Sequence, residues 1–320
     1  MRITSEDAFL ALIDRRFPVS ARHVPLMRGD DAAILEAPDR ICLTTDLFVE
    51  NVHFRTSYFT PREIGHKALA VNISDAAAMG AAPIGFSLGL AVPPNLDEAF
   101  FDGMLQGMAG LAGRFGLPLT GGDLSAAPIL FLSVTLWAKA GPSGRFLTRT
   151  ARPGDRLFVC GELGLARAGL AVLEERGRAA IPEWPGAAAA HLAPEPRVAE
   201  GLALADTPGV RGLMDVSDGL ARDLPRLLGP DLGADVMLPE SALNAEVLAY
   251  AARTGVSPAL AAFAGGEDYA LLGAASPEAM AAAKARIPGL IDIGAVRPVR
   301  GLRVNGEPAP ASGFDHFSRP

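Results

Sequence analysis

The stretch KALAVNISDAAAMGAAP, residues 67–83, places an aspartate, Asp75, inside an otherwise apolar helical pattern. The preceding TPRE, residues 60–63, predicts where this helix begins, because Thr is a good N-cap, Pro suits the first position and Glu completes a capping box. Gly80 predicts its end. A buried carboxylate costs several kcal/mol unless it is paired or bound to a cation. Asp75 therefore predicts a metal or ligand contact, and Asn72, three residues earlier, shares its helix face.

Further acidic residues lie beside glycines or threonines at the ends of apolar segments. They belong to GDD (29–31), TTD (44–46), GGD (121–123), DVSD (215–218) and GGED (265–268). These motifs do not contain a matching number of Lys or Arg residues, so divalent cations are the natural compensation. Carboxylates with neighbouring hydroxyl groups are typical ligands of Mg²⁺. The set predicts a magnesium-dependent site for a phosphorylated ligand.

Each motif alone also has a simpler structural explanation. GDD could be a turn, DVSDG (215–219) only a helix N-cap, and GGED the start of a strand after a flexible turn. GELG, residues 161–164, could cradle a phosphate through backbone N–H groups or form only a tight turn between a strand and a helix. A P-loop is excluded because the sequence lacks G-x-x-x-x-G-K-[ST].

The composition restricts the class of protein. The chain has 320 residues, which predicts two domains, and its net charge of −7 argues against a nucleic-acid partner. Cys42 and Cys160 lie in separate apolar runs, which indicates buried thiols in a reducing compartment. The sequence shows neither an apolar signal core near its N-terminus nor a stretch long enough to cross a membrane. We expect a cytoplasmic protein without a membrane partner.

The order of the predicted elements favours an α+β fold over a doubly wound sheet, because helices and strands do not alternate strictly. A polar stretch rich in Gly and Pro, residues 141–155, is the best linker candidate. Helices are predicted over residues 5–17, 60–79 and 96–115 and from about 165, and strands over 41–43, 87–92, 129–138 and 156–160.

Together the motifs resemble those of the thiamine-monophosphate kinase family, in the superfamily of aminoimidazole ribonucleotide synthetase. A single piece such as GGD is weak, whereas the set in this order is specific. The resemblance runs through GDDAAIL (29–35), TTDLFVENVHF (44–54), KALAVNISDAAAMGAAP (67–83), GGD (121–123), LTRTARPGD (147–155), MDVSDGL (214–220), GGEDYALL (265–272) and GFDHF (313–317).

The resemblance implies two α+β domains of the aminoimidazole ribonucleotide synthetase-like type, with the N-terminal sheet pairing across a homodimer. Residues 1–140 would bind metal and ATP and form the dimer, and residues 150–320 would complete the substrate site in a cleft between the domains. The implied reaction is ATP- and Mg²⁺-dependent phosphorylation of thiamine monophosphate to thiamine diphosphate, by direct in-line transfer and with several Mg²⁺ ions. The alternatives are a divergent ATP enzyme with another acceptor and a catalytically silent nucleotide-binding dimer.

Matching motifs also imply roles for individual residues. The implied Mg²⁺ ligands are Asp31, Thr44, Thr45, Asp46, Asp75, Asp123, Asp215 and Asp218. Five of these would also be catalytic: Asp31, Asp46, Asp75, Asp123 and Asp218. The implied ATP contacts are Gly122, Asp123, Arg149 and Ser217. The implied contacts to thiamine monophosphate are His53, Glu267 and Phe314, with Phe314 against an aromatic ring.

Overall fold

The computed structural model describes residues 6–28, 31–94 and 96–310. Within these ranges the α-helices are α1 Glu6–Arg16, α2 Pro61–Ala78, α3 Glu98–Phe115, α4 Leu165–Arg176, α5 Pro185–Leu192, α6 Val198–Ala205, α7 Leu220–Leu228, α8 Ala245–Thr254, α9 Pro258–Ala264 and α10 Pro277–Arg286. The strands are β1 Ile41–Val49, β2 Ala81–Val92, β3 Leu119–Ala126, β4 Phe131–Ala140, β5 Arg156–Cys160, β6 Val210–Asp215, β7 Gly233–Val236, β8 Leu271–Ala275, β9 Leu290–Arg297, β10 Gly301–Val304 and β11 Glu307–Pro308.

The chain divides into two compact units. The N-terminal unit consists of Met1–Ala76 and Ala82–Ala140, and the C-terminal unit of Ala77–Ala81 and Gly141–Pro320. Each unit has its own sheet with helices, and the predicted α+β class is confirmed. The functional roles expected of residues 1–140 and 150–320 stay predictions.

The sheet of the N-terminal unit has the strand order β1-β4-β2-β3 in the described residues. β1 pairs antiparallel with β4 along its whole length, and β2 pairs parallel with β3. Since β1 and β3 are the two edges, their side chains lie three strand spacings apart, or about 14 Å. This separation limits which acidic residues of the unit can share one ligand.

Helix α2 begins where its sequence signal predicts. The Thr60 hydroxyl accepts the Glu63 N–H at 3.3 Å, and the Glu63 carboxylate accepts the Thr60 N–H at 2.7 Å. Gly80, at φ +64°, follows the helix end. Helix α2 also runs very close to α3, because a Cβ on Gly65 would lie 1.8 Å from the Met104 carbonyl oxygen. The capping box and this close approach fix the helix that carries Asn72 and Asp75.

The predicted strand over residues 41–43 is too short. β1 continues to Val49, because its pairing with β4 persists through the polar residues Thr44 to Asp46. Asp46 therefore lies inside the strand and does not end it. GGD likewise lies inside a strand, β3, which the sequence did not predict.

The sheet of the C-terminal unit has the order β11-β10-β7-β9-β5-β8-β6 in the described residues. Most neighbours are antiparallel, and β10 and β7 are parallel. Side chains from β5, α7 and α9, among them Leu157, Leu224 and Phe263, form the buried core against this sheet. Strand β6 of this sheet ends at Asp215, the first residue of the acidic motif DVSD.

Across the described ranges, a single helix that is long and apolar enough for a membrane span does not occur. The bent pair of α8 and α9, at 105°, passes that test by length and composition only.

Candidate functional site

Strand β1 and helix α2 bring two carboxylates together in the N-terminal unit. The Thr44 hydroxyl donates to the Asp75 carboxylate. One turn away on the helix, the buried Asn72 accepts the Asp46 N–H at 3.2 Å and donates to the Ala68 carbonyl at 3.0 Å. Asn72 and Asp75 therefore both reach β1, as their shared helix face predicts.

The carboxylates of Asp46 and Asp75 are half-buried and repel each other. Burial, and then the nearby charge of Asp75, raise the pKa of Asp46 to about 6. A cation beside the pair would relieve both effects, because it favours the ionised form. Two carboxylates and the Thr44 hydroxyl are hard oxygen donors, so these residues fit Mg²⁺.

The other predicted ligands of this unit do not join that pair. The Thr45 hydroxyl lies on the opposite face of β1, 2.8 Å from the hydroxyl of Thr135. Asp123 lies on β3 at the far edge of the sheet, and Asp31 is exposed. Consistent with this, no group of three or more His, Cys, Asp or Glu side chains in the described ranges is arranged to hold a metal ion. The ligand roles of these three residues stay predictions.

Gly122 is required by the packing of β3 on β2. A Cβ at this position would lie 1.9 Å from the Leu88 carbonyl oxygen, so a larger residue would separate the strands. The glycine thus lets the β2 backbone lie close to the chain just before the exposed Asp123. The contact of Gly122 with ATP stays a prediction.

His53 is held by its own loop. Its Nδ1 accepts the Val49 N–H at 3.1 Å, and its ring stacks on Phe48 at a centroid distance of 5.9 Å. Since Nδ1 accepts, a neutral His53 carries its proton on Nε2. The contact of His53 with thiamine monophosphate stays a prediction.

In the C-terminal unit, backbone pairing brings Asp215, Ser217 and Glu267 together. The Glu267 N–H donates to the Ser217 carbonyl at 2.7 Å, and the Val216 N–H donates to the Ala270 carbonyl at 2.8 Å. Asp215, at the end of β6, is 6 % exposed. The two motifs DVSD and GGED therefore lie side by side, joined by backbone hydrogen bonds.

Arg149 lies beside the same strand. The Thr148 carbonyl accepts the Leu213 N–H at 3.1 Å, which aligns the segment containing Arg149 with β6. The close approach requires Gly212, where a Cβ would lie 2.1 Å from the Thr150 carbonyl oxygen. Arg149 itself is exposed, so its guanidinium is accessible to an anion.

Two residues that the sequence analysis missed hold Asp218. The fully buried Asp223 accepts the Asp218 N–H at 2.9 Å, and Arg226 donates to the carboxylates of Asp218 and Asp223 at 2.7 and 2.8 Å. The N-cap of α7 is Gly219, the last residue of DVSDG, and it forms no side-chain cap bond, so neither Asp215 nor Asp218 caps this helix through its side chain. The spacing of Asp223 and Arg226, three residues apart on a helix, was the available signal.

Glu267 is held by a third missed residue, His191, whose Nδ1 lies 3.1 Å from a Glu267 carboxylate oxygen. The two residues belong to distant parts of the sequence, and no local pattern connects them.

Phe314, the remaining predicted substrate contact, lies outside the described residues.

The GELG segment forms a turn that Asp268 closes against the start of α4. The Asp268 carboxylate accepts the N–H groups of Gly164 and Ala166, at 2.7 and 3.2 Å, at the start of α4. The helix N-terminus thus has a hydrogen-bond acceptor from its own chain, and the structure favours the tight-turn explanation over a phosphate cradle. Asp268 is correspondingly a helix-capping residue.

Comparison with known proteins gives the family. Residues 29–140 match the family model described as AIR synthase related protein, N-terminal domain. A thiamine-monophosphate kinase from Mycobacterium tuberculosis is 36% identical over 270 residues, which is 82% of this chain and 79% of that protein. The chain belongs to the thiamine-monophosphate kinase family.

Solved structures agree with this membership along nearly the whole chain. A thiamine-monophosphate kinase from Stenotrophomonas maltophilia K279a has a TM-score of 0.81 at 30% identity, covering 97% of this chain and 99% of that one. AaThiL complexed with AMPPCP and TMP has a TM-score of 0.78 at 29% identity, covering 99% of both chains. The predicted aminoimidazole ribonucleotide synthetase-like fold is confirmed.

In this thiamine-monophosphate kinase family member, Asp268 gives a pH prediction. Burial raises its pKa from 3.8 to about 8, against the two N–H bonds, which lower it. Because the folded pKa is the higher one, the folded state holds the extra proton, and its stability falls as the pH rises from about 4 to about 8. Asp268→Asn resembles the protonated form, so we expect its free energy of unfolding to rise relative to that of the wild type across this range.

Urea unfolding of both proteins at several pH values measures this difference. Asp231→Asn, at an 80% exposed side chain, is the matched control, and its free energy of unfolding relative to the wild type should show no such pH trend. The prediction would be wrong if the free energy of unfolding of the wild type rose with pH relative to that of Asp268→Asn. The N–H bonds and the helix dipole would then outweigh burial.

Proposed function

We propose that this protein transfers the γ-phosphoryl group of ATP to thiamine monophosphate, giving thiamine diphosphate and ADP. The observation that carries the proposal is the similarity to thiamine-monophosphate kinases over 82% of the chain. The full-length likeness to AaThiL complexed with AMPPCP, an ATP analogue, and TMP supports the same two substrates. The acidic pair on β1 and α2 is the local chemistry that this reaction requires.

Asp46, Asp75 and Thr44 would hold Mg²⁺ in the N-terminal domain, residues 1–140. The partly desolvated pair of Asp46 and Asp75, in which the pKa of Asp46 is raised to about 6, supports this metal-binding role. Bound Mg²⁺ supplies charge neutralisation for phosphate groups. Asp123, on the opposite edge of the sheet, would serve a separate ion, as would Asp31, and this fits a requirement for several ions.

The C-terminal domain, residues 150–320, together with Arg149 would complete the site. Asp215 and Asp218 supply further carboxylates, and Ser217 and Arg149 supply donors for the phosphates of ATP. Glu267 is joined to Ser217 through its backbone, so a residue for the acceptor is fixed beside a residue for the nucleotide. Such fixed alignment is the main contribution that a protein makes to phosphoryl transfer.

The transfer would be direct and in line, without a phosphorylated protein intermediate. The acceptor is a phosphate oxygen that is already ionised near neutral pH, so a general base is unnecessary. The thiols offer little as nucleophiles, since burial raises the pKa of both Cys42 and Cys160.

The reaction is tested with purified protein, ATP and Mg²⁺, with and without thiamine monophosphate, by a coupled ADP assay and mass identification of the product. We expect thiamine diphosphate to form in step with ADP. ADP formed only with another acceptor would point to a divergent ATP enzyme, and nucleotide binding without ADP under any condition to a silent binder.

Asp75→Asn should lower turnover by about 100-fold or more, because it removes one of the two carboxylates that compensate the charge of a bound cation. The helix should still form, since Asn retains an oxygen that accepts from Thr44. Steady-state kinetics at saturating Mg²⁺ measures the loss, and thermal unfolding checks the fold.

The matched control is Asp39→Asn, an exposed aspartate of the same unit. Its kinetics should equal those of the wild type. Unchanged turnover of Asp75→Asn at saturating Mg²⁺ would exclude the shared-metal role of Asp75.

The protein would act as a homodimer formed through the sheet of the N-terminal unit. The face of β1 that points away from α2 exposes three large apolar side chains: Ile41 is 43% exposed, Leu43 64% and Leu47 52%. Apolar side chains grouped on one edge strand are typical of a surface that a partner covers.

The double variant Leu43→Asp with Leu47→Asp should be monomeric, because the aspartates would place like charges across the interface. Sedimentation analysis measures the mass of each form. Val299→Asp, at an equally exposed valine of the C-terminal unit, is the control and should leave a dimer. A wild-type monomer at micromolar concentration would rule out this interface.

A further inference from the structure

His191 is a buried histidine at the end of α5, and it contacts the GGED motif. Its side chain is 1% exposed, and its Nδ1 lies 3.1 Å from Glu267 Oε2, whose side chain is 26% exposed. An ionised carboxylate only accepts hydrogen bonds, so Nδ1 carries the proton in this pair. Glu267 thus has one end fixed in the protein and part of its surface open to a ligand.

The backbone of Glu267 is fixed as well. Its φ of +66° lies in the left-handed region, which is uncommon for a residue other than glycine, and Tyr269 has φ +48°. Hydrogen bonds from the N–H groups of these two residues to Ser217 and Val216, at 2.7 and 2.9 Å, hold this conformation. With the backbone fixed, the freedom left to Glu267 is rotation of its side chain, and the contact with His191 restricts that rotation.

Helix α5 is a rigid support for the imidazole. The Glu246 carboxylate accepts the N–H groups of Gly186 and Ala187, at 2.9 and 2.8 Å, and so caps the helix. Helix α4 lies so close that a Cβ on Gly169 would be 2.0 Å from the Ala187 carbonyl oxygen. A positioning group on a packed helix keeps its geometry better than one on a loop.

We propose that His191 is the positioning residue that sets the carboxylate of Glu267 for the acceptor substrate. The inference rests on the proposed function and deepens it. Thiamine monophosphate has a cationic thiazolium ring and an aminopyrimidine with an amino donor, and a fixed carboxylate suits both groups. ATP offers mainly negative charge to such a residue, so His191 should matter for the acceptor and not for the nucleotide.

The test compares His191→Leu, which removes the donor, with His191→Asn, whose amide can replace Nδ1–H. We expect His191→Leu to raise the KM for thiamine monophosphate about tenfold, the scale of one lost hydrogen bond to a charged group, with kcat and the KM for ATP unchanged. His191→Asn should restore most of the affinity. His23→Leu is the matched control, because it removes a histidine bonded at 2.6 Å to a backbone carbonyl, that of Ile84, in the other unit.

A double-mutant cycle separates positioning from packing. In the Glu267→Ala background, His191→Leu should cause no further rise in the KM for thiamine monophosphate, because its target is gone. An additive effect, or equal losses for both substrates, would mean that His191 acts only through packing and would overturn the proposal.

The proposed function and this inference fail in different ways. A wild type that makes no thiamine diphosphate contradicts both. An active wild type with a Glu267→Ala defect for the acceptor, but normal kinetics in a folded His191→Leu, contradicts the role of His191 alone. Thermal unfolding of each variant identifies a loss that comes from misfolding, and His191→Asn then decides, since an acceptor KM well above that of the wild type in this folded variant would overturn the role.

Discussion

The repulsion between Asp46 and Asp75 is the constraint on which the N-terminal unit is built. The carboxylate of Asp46 would ionise more readily in water, yet β1 and α2 hold it beside Asp75 and partly exclude solvent. The connections that do so, Thr44 to Asp75 and Asp46 to Asn72, are also contacts that fix the helix against the strand. The arrangement therefore lowers the stability of the fold, and a bound cation would restore it. This is the expected property of a functional site.

The C-terminal unit compensates its acidic residues from within. Arg226 donates to the carboxylates of both Asp218 and Asp223, and backbone N–H groups at the start of α4 donate to Asp268. The carboxylates of the two units thus have different partners. Burial and the charge of Asp75 raise the pKa of Asp46, whereas Asp218 is paired with Arg226 before any ligand arrives. This difference makes the pair on β1 and α2 the stronger candidate for a metal ion.

Local signals in the sequence predicted the helix α2 and the acidic motifs, because a capping box and a misplaced carboxylate are both readable within a few residues. They did not predict the length of β1 or the existence of β3. Asp46 and the segment Gly121 to Asp123 are poor strand formers, and pairing with β4 and β2 places them in strands. His191 could not be found at all from sequence, since its meaning comes from a contact with Glu267 that the tertiary fold creates. Which acidic residues share a ligand depends in the same way on strand order.

Strand β1 has two faces with different chemistry, and its register decides which side chain belongs to each. Thr44 and Asp46 turn towards α2, while Leu43, Thr45 and Leu47 alternate onto the other face. A slip of one residue against β4 would exchange the two sets, placing leucines against Asp75 and Asp46 in solvent. The nine consecutive pairs with β4 oppose such a slip. Covering the outer face with a second copy would oppose it further, because a slip would then also bury a carboxylate in the interface. Dimer formation and the geometry of the acidic pair would in this way depend on the same strand.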